Sequence, residues 1–362
     1  MTATTDMPST TPAPAPRAAD KSDAGTPLVS IVIAMYNEAR YIGLCLDSIL
    51  AQDFDMSRCE IIVVDGRSQD DSAAIVRSYC ERYPNVRLLD NPRRVQVAAL
   101  NLGAGIARGR YMLQMDSHCR YQSDYIRQVV ATFERTGAAN VAGQFVARPG
   151  DETTIARAIW LVQGSRFGAG ASYGRQPGPE RMVGENEHVT SGWSFRRDLF
   201  DRVGWFDERL ISNHDNDMSC RAHEAGLGVC YNPAIVAEYF SRARIWPFLR
   251  TMFRNGYYLM PMWRIRPSSF ALMHAVPMAF VLTLLVSGVA GLFWPPAWWL
   301  TAAALGSYGL VDMAVSIGLA ARHGAVMLPL LPWLFLATHG SYGIGTVAGV
   351  IRFGLGRLPR AG

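Results

Sequence analysis

VSIVIAMYNE (residues 29–38) and IIVVDGRSQD (residues 61–70) decide the fold. Each is a short run of β-branched and other apolar residues that breaks abruptly into polar ones, which reads as a buried strand ending in a loop. Working outward from the two runs, residues 28–35, 60–64, 86–89 and 111–115 read as strands. Between them, residues 41–51, 70–83 and 95–107 carry apolar side chains at helical spacing, with Ser68 or Asp70 placed to cap the second helix. Strand–helix alternation with short connections implies right-handed crossovers and a parallel sheet. The expected fold class is α/β, an open sheet with helices on both faces.

In such sheets ligands sit beyond the carboxyl ends of the strands. Three polar clusters fall there: Tyr36-Asn37-Glu38, Asp65-Gly66-Arg67-Ser68 and Asp116-Ser117-His118. Any one of them could be a turn or a cap; three on one sheet edge point to a crevice. Asp65 follows a rigid apolar strand and can accept from a base or a ribose. Asp116 and His118, two residues apart on an extended segment, would share one side and hold a divalent cation against a diphosphate. Protonation of that imidazole below about pH 6.5 would then release the metal. A fourth cluster, His214-Asp215-Asn216-Asp217, opens an expected helix running to Glu224. Its aspartates are either caps or a base that deprotonates a hydroxyl, with Asp217 as the competing candidate for Asp215.

Composition removes several other chemistries. Lys21 is the only lysine among 35 basic residues, so a Walker-type phosphate loop, a lysine Schiff base and a lysine general base are excluded from the domain. The six cysteines form no C-x-x-C pair and read as buried thiols of a reducing compartment. The string Gly170-Ala-Ser172-Tyr-Gly174 matches a nucleophile elbow, but it sits in a Gly/Pro-rich stretch (168–187) without the strand and helix that elbow needs.

The ends of the chain differ from its middle. Residues 1–27 are mostly Thr, Ser, Ala and Pro with almost no large apolar side chain, an expected disordered tail with no apolar core of a signal peptide. The domain expected over 28–240 therefore begins on the cytoplasmic side. Residues 241–267 interleave Arg242, Arg244, Arg250, Arg254, Arg264 and Arg266 with aromatic residues and no acid, the pattern of a segment lying at a membrane interface rather than on nucleic acid. From Pro267 to Ile351 only Asp312 and Arg322 carry formal charge, so 268–352 reads as a membrane block. Its first two apolar segments (272–294 and 297–321) look long enough to span. The third (324–351), broken by Pro329, Pro332 and glycines, reads as re-entrant or interfacial. Arginines at both ends of the block, including the basic tail 353–362, place both ends on the cytoplasmic side.

The runs already quoted, with NPRRVQVAALNLGAGIARGRYMLQMDSH (91–118) and GWFDERLISNHDNDMSCR (204–221), resemble the inverting family 2 glycosyltransferases, in particular the succinoglycan-type exopolysaccharide branch with C-terminal membrane segments. The resemblance covers about residues 28–260. It implies a GT-A fold, Rossmann-like with a mostly parallel sheet, and a UDP-sugar donor contacted by Tyr36, Asn37, Glu38, Asp65 and Arg67. Asp116 and His118 occupy the family's D-x-D positions, in a D-x-H form that would hold Mn2+ or Mg2+, and Asp215 aligns with its catalytic base. The glutamate before that base is His214 here, and the Q-x-x-R-W motif of processive synthases is absent, which favours adding a single sugar. His214, Asp217, Arg221, Arg250 and Arg254 complete the set as acceptor or diphosphate contacts. The implied activity is transfer from a nucleotide sugar to a lipid-linked, polyprenyl-pyrophosphate acceptor at the inner or plasma membrane. The rival readings are a polyprenyl-phosphate sugar synthase and a non-catalytic membrane scaffold.

Overall fold

The computed structural model describes residues 25–169, 178–184, 193–267, 272–354, 356 and 358–359. Residues 1–24 of the expected disordered tail, most of the 168–187 stretch with its elbow string, and the end of the basic tail lie outside the described residues.

The first half of the chain forms the expected alternation. Strand β1 (Val29–Met35) is followed by α1 (Ile42–Leu50), β2 (Cys59–Asp65), α2 (Ser72–Arg82), β3 (Val86–Asp90), α3 (Gln96–Ile106) and β4 (Tyr111–Asp116). These four strands pair in parallel in the order β3-β2-β1-β4. Every residue of β2 is buried, because the sheet is covered on both faces. One cluster of apolar side chains joins α1, α2 and the helix α4 (Tyr125–Thr136) to one face; a second joins α3 to the other. The second helix is capped one residue beyond Asp70 and three beyond Ser68, the two expected positions. Asp71 is its cap residue, while the Asp70 carboxylate accepts the Ser72 N–H and, 3.1 Å away, that of Ala39, so it fastens the end of β1 to the helix.

Beyond β4 the sheet stops being parallel. The remaining strands are β5 (Cys119–Tyr121), β6 (Asn140–Arg148), β7 (Arg181–Met182), β8 (Ser194–Arg196) and β9 (Val229–Phe240). The nine-stranded order continues β4-β8-β6-β9-β5, with β8 antiparallel to both its neighbours, β9 parallel to β6, and β7 on β9. Their connections are α5 (Thr154–Gly164), α6 (Arg166–Ala169), α7 (Arg197–Val203) and α8 (His214–Glu224). All six cysteines are free and only Cys80 is not fully buried.

The chain then leaves the sheet through α9 (Ile245–Tyr257) and α10 (Leu259–Ile265) and ends in α11 (Val276–Gly291), α12 (Ala297–His323) and α13 (Leu331–Phe353). Here the structure departs from expectation. The first apolar segment yields a helix of only 16 residues, about 24 Å against a hydrocarbon core of about 30 Å. The third forms an unbroken 23-residue helix. Pro332 lies in its first turn, where a missing N–H and a fixed φ do no harm. Among the described residues, the two helices long and apolar enough to cross a membrane are therefore α12 and α13. A third apolar cluster unites α5, α9, α12 and α13, so the helical block shares a core with the sheet domain.

Candidate active site

The pairing register sets the site. Met35 lies opposite Asp65 and Ala34 opposite Asp116, so the three expected polar clusters leave one sheet edge side by side. The first two are stitched together. Asn37 donates its N–H to the Ser68 hydroxyl (2.9 Å), the Asn37 amide oxygen accepts from Gln69 N–H (2.7 Å), and Glu38 N–H donates to the Ser72 hydroxyl (2.7 Å). Asn37 and Arg67 both adopt left-handed backbone (φ 54° and 59°), an uncommon conformation for non-glycine residues that gathers at functional turns. Tyr36 stands exposed beside Gly66. Asp65 is buried and accepts from both the N–H and the hydroxyl of Ser68, and Arg67 pairs with Asp90. Glu38 separates from this group: its carboxylate is buried, 3.5 Å from both His118 Nδ1 and Arg242 Nη1.

The relation expected between Asp116 and His118 is corrected. β4 ends at Asp116, and Ser117 and His118 form a two-residue turn into β5, so no extended segment carries both side chains. His118 is nonetheless buried with both ring nitrogens lacking a hydrogen-bond partner, its ring edge-on to Tyr239. Burial, aided by Arg242, pushes its pKa down to about 3. The imidazole therefore stays neutral through the acid range, and the expected loss of this ligand below about pH 6.5 is withdrawn. The carboxyls move the other way. Burial, then the neighbouring Asp215, raises Asp116 to about 6; burial raises Glu38 to about 7 against the opposing pull of Arg242.

These shifts test the fit of a cation. Glu38, Asp116 and Asp215 load the crevice with buried or mutually repelling carboxyls, and a neutral imidazole with a free nitrogen faces the same space. A divalent ion suits that donor set. Among the described residues no three His, Cys, Asp or Glu side chains converge closely enough to hold one unaided. Asp116 and His118 would thus need diphosphate oxygens and water to complete the shell.

Opposite the strand ends, α8 begins after Asn213, another left-handed residue (φ 64°). Asp215 Oδ2 accepts the indole N–H of Trp193 at 2.8 Å, and Oδ1 accepts the Asn216 N–H at 2.9 Å. Trp193 is buried just before β8. Sequence reading missed it, because nothing local links residue 193 to residue 215. The loop before α8 is held by Asn101, whose side chain bonds both the N–H and the C=O of Phe206. His214 is buried edge-on to Phe206 with unpartnered nitrogens, and burial lowers its proton affinity. Asp217 is fully committed: one oxygen accepts from Arg221 Nε (2.9 Å), the other from Arg266 Nε (2.8 Å). Arg221 also donates to the carbonyls of Val203 and Gly204. Both oxygens of Asp217 are thus held by guanidiniums, whereas Asp215 accepts only from neutral N–H groups and its charge acts on Asp116.

Arg250 and Arg254 lie on α9. Desolvation and the positive fields of Arg242 and Arg250 lower the proton affinity of Arg254, so three guanidiniums share one side of the crevice. Of the three, only Arg242 meets a carboxylate, that of Glu38, among the described residues. Arg242 was legible only as part of a basic run, yet it touches the buried acid of the site.

The model of the glycosyl transferase family 2 matches residues 30–204. The succinoglycan biosynthesis protein ExoA of Rhizobium meliloti (strain 1021) is 30% identical over 233 residues, 62% of this chain and 67% of the relative. The chain belongs to family 2 of the glycosyltransferases. A dolichyl N-acetyl-alpha-D-glucosaminyl phosphate 3-beta-D-2,3-diacetamido-2,3-dideoxy-beta-D-glucuronosyltransferase of Methanococcus voltae is 23% identical over 285 residues, 73% of this chain and 82% of its own. Among solved structures, a mannosyltransferase of Pyrobaculum calidifontis in complex with GDP-Man and Mn2+ superimposes with a TM-score of 0.53 at 22% identity, over 90% of this chain and 88% of that one. The glycosyltransferase therefore has the expected GT-A fold. The family model ends at Gly204, before α8, so Asp215 lies outside it.

Proposed function

We propose that this family 2 glycosyltransferase moves a single sugar from a nucleotide-diphosphate donor, a UDP-sugar, to a lipid-linked acceptor, with inversion. One observation carries the reading: Asp215, oriented by Trp193, faces Asp116 across the strand ends. The wall formed by Tyr36, Asn37, Asp65 and Arg67 takes the nucleoside, and Asp116 with His118 would hold Mn2+ or Mg2+. When bound, that cation supplies charge neutralisation of the leaving diphosphate. Asp215 accepts the proton of the acceptor hydroxyl. The new glycosidic bond forms on the face opposite the diphosphate as the anomeric carbon–oxygen bond breaks, so the configuration inverts.

The arginines of α9 supply positive charge for a phosphorylated acceptor. Support for a lipid-linked acceptor comes from the M. voltae relative, named for a dolichyl phosphate sugar. The apolar helices and the Arg/aromatic segment support a seat on the inner or plasma membrane, with the catalytic domain on the cytoplasmic side as part of this reading. The test is a screen of nucleotide sugars with detergent-purified protein and membrane-lipid acceptors, reading nucleotide release and product structure. One sugar added in inverted configuration to an existing lipid-linked saccharide is expected. A sugar joined directly to lipid phosphate would replace this reading with a polyprenyl-phosphate sugar synthase. Lipid or saccharide binding with no nucleotide release would leave only a scaffold.

A further inference from the structure

Among the described residues, the two helices with the length to cross a bilayer have different surroundings. A crossing helix leaves the catalytic domain behind: one end stays near it and the other lies about 30 Å away, beyond the hydrocarbon. α13 does not leave. Its first turns, at Leu331, Leu334 and Phe335, share an apolar cluster with Ala158, Ile159 and Val162 of α5. The indole N–H of Trp160 ties α5 to the carbonyl of Ala147 in β6. One turn on, His339 Nε2 lies 2.8 Å from the carbonyl of Phe167 in α6. At the far end Phe353 packs against Tyr257, ring centroids 5.0 Å apart, and its carbonyl accepts from Arg264 Nη1 at 2.5 Å. Arg266, just beyond α10, is bonded to Asp217 of α8. Both ends of a helix about 34 Å long thus touch elements continuous with the sheet domain.

Between its ends α13 runs beside α9 in the same direction. Gly345 lies against the carbonyl of Phe253 and Gly349 against that of Tyr257, so closely that a Cβ would stand 2.2 and 2.3 Å from those oxygens. Two glycines four residues apart let the backbones touch, which fixes one helix on the other. The depth of α9 therefore sets the depth of α13. α9 carries Arg250 and Arg254, follows Arg244, and has no acid in its length. Arg244 and Arg250 form no ion pair among the described residues. Guanidiniums without partners belong among anionic headgroups, not in hydrocarbon. Trp246, exposed on the same helix, suits that interface as well.

The hairpin of α11 and α12 behaves differently. α11 meets α13 near its own start, where Pro277 and Val281 contact Gly343. Ten residues past Val281, Gly291 lies against the Trp298 indole of α12. The tip, at Leu292, Phe293, Trp294 and Trp299, is strongly exposed and bears no charge.

We propose that α13 lies in the plane of the near membrane interface beside α9, on anionic phospholipid, and that the α11–α12 hairpin carries the chain into the hydrocarbon. The inference rests on the membrane association stated above and assigns its geometry. Trp333, Ile344 and Ile351 form one exposed stripe along α13, as their spacings of 11 and 7 residues require of a helix. That stripe faces the acyl chains.

The test uses full-length protein in phosphatidylcholine vesicles containing phosphatidylglycerol. Nitroxide labels are placed singly at Trp333→Cys, Ile344→Cys and Ile351→Cys on α13, and at Leu285→Cys and Leu300→Cys on the hairpin, in a Cys80→Ser background. All five replace exposed side chains, so folding does not depend on them. Depth is read from collision with oxygen against a nickel chelate. The three α13 labels should report one shallow depth at the headgroup–acyl boundary, and the hairpin labels greater depths. A crossing α13 would spread its labels by about 27 Å, and that gradient overturns the inference. Equal depths near the bilayer centre overturn it too. Absence of vesicle binding is a distinct result that removes the membrane reading itself.

Discussion

The two walls of the crevice are built by different means. The first wall consists of the ends of β1, β2 and β4, three adjacent parallel strands whose register alone brings their loops together. The other wall comes from the mixed half of the sheet, where Trp193 meets Asp215 across 22 residues, Glu38 meets Arg242 across the whole domain, and Asp217 meets Arg266 beyond it. One wall is a property of backbone topology; the other depends on particular side-chain pairs. Substitutions should therefore act locally on the first and travel on the second.

The largest effect is expected at Asp215. An amide cannot take a proton from the acceptor, so Asp215→Asn should lower kcat by about 10²–10⁴-fold. Under the proposed function UDP binds the opposite wall, so its affinity should stay unchanged by calorimetry. Wild-type turnover in this variant would return Asp215 to a helix cap and erase the contrast.

Asp217→Asn should act on stability. Its carboxylate is buried between two guanidiniums, and removing one member of a buried pair typically costs about 3–5 kcal/mol. Chemical denaturation should show a loss of that order, and whatever folded fraction remains should keep the donor KM. A variant as stable as wild type that has lost transfer would instead make Asp217 part of the chemistry.

Trp193→Phe isolates one bond across the second wall. The ring still fills its buried slot, but the 2.8 Å N–H bond to Asp215 is gone. Hydrogen bonds to charged groups contribute about 1.5–3 kcal/mol, so kcat should fall about 10–100-fold with donor KM unchanged. In the Asp215→Asn background the same change should cost nothing more, because the two residues act as a unit. Additive losses would show that Trp193 only packs.

The contrast explains what could be read from the sequence. Strands β1 to β4, their helices and the polar clusters at their ends were legible, because hydrophobic periodicity is local and a parallel sheet places strand ends together. Asp215 stood out by resemblance and by its place at a helix start. Trp193 and the role of Arg242 were not legible, since each acts through a partner far away in the chain. The turn at Ser117-His118 was hidden by an alternation that reads equally well as a strand. That α13 is one unbroken helix was not legible for another reason: its prolines and glycines looked like breaks, but Pro332 sits in a first turn and Gly345 and Gly349 receive α9.

The smallest and most graded effect is the pH dependence of metal binding, which reports on the first wall. Asp116 lies near 6 and must lose its proton to ligate a cation. Protons and Mn2+ therefore compete, and affinity should fall about tenfold per pH unit below about 6. His118, held near 3, stays neutral through that range and contributes nothing to the fall. The apo protein supplies the matching signs. Asp116 and Glu38 have folded values raised above their unfolded ones, so their contribution to stability is present at low pH and is lost as pH rises through about 6 to 7. His118 is depressed, so its contribution is present above about 6.5 and is lost as pH falls. Mn2+ at one subsaturating concentration should raise Tm more at about pH 8 than at about pH 5. Asp116→Asn should abolish the increment at every pH. His118→Asp should keep it while moving preference towards Mg2+, since an imidazole suits the later transition metals and a carboxylate the harder ion. A Tm increment flat across this range would show that no carboxyl of the strand ends ligates the metal. An unchanged metal preference in both His118→Asp and His118→Ala would make His118 structural, leaving Asp116 to hold the cation with diphosphate and water.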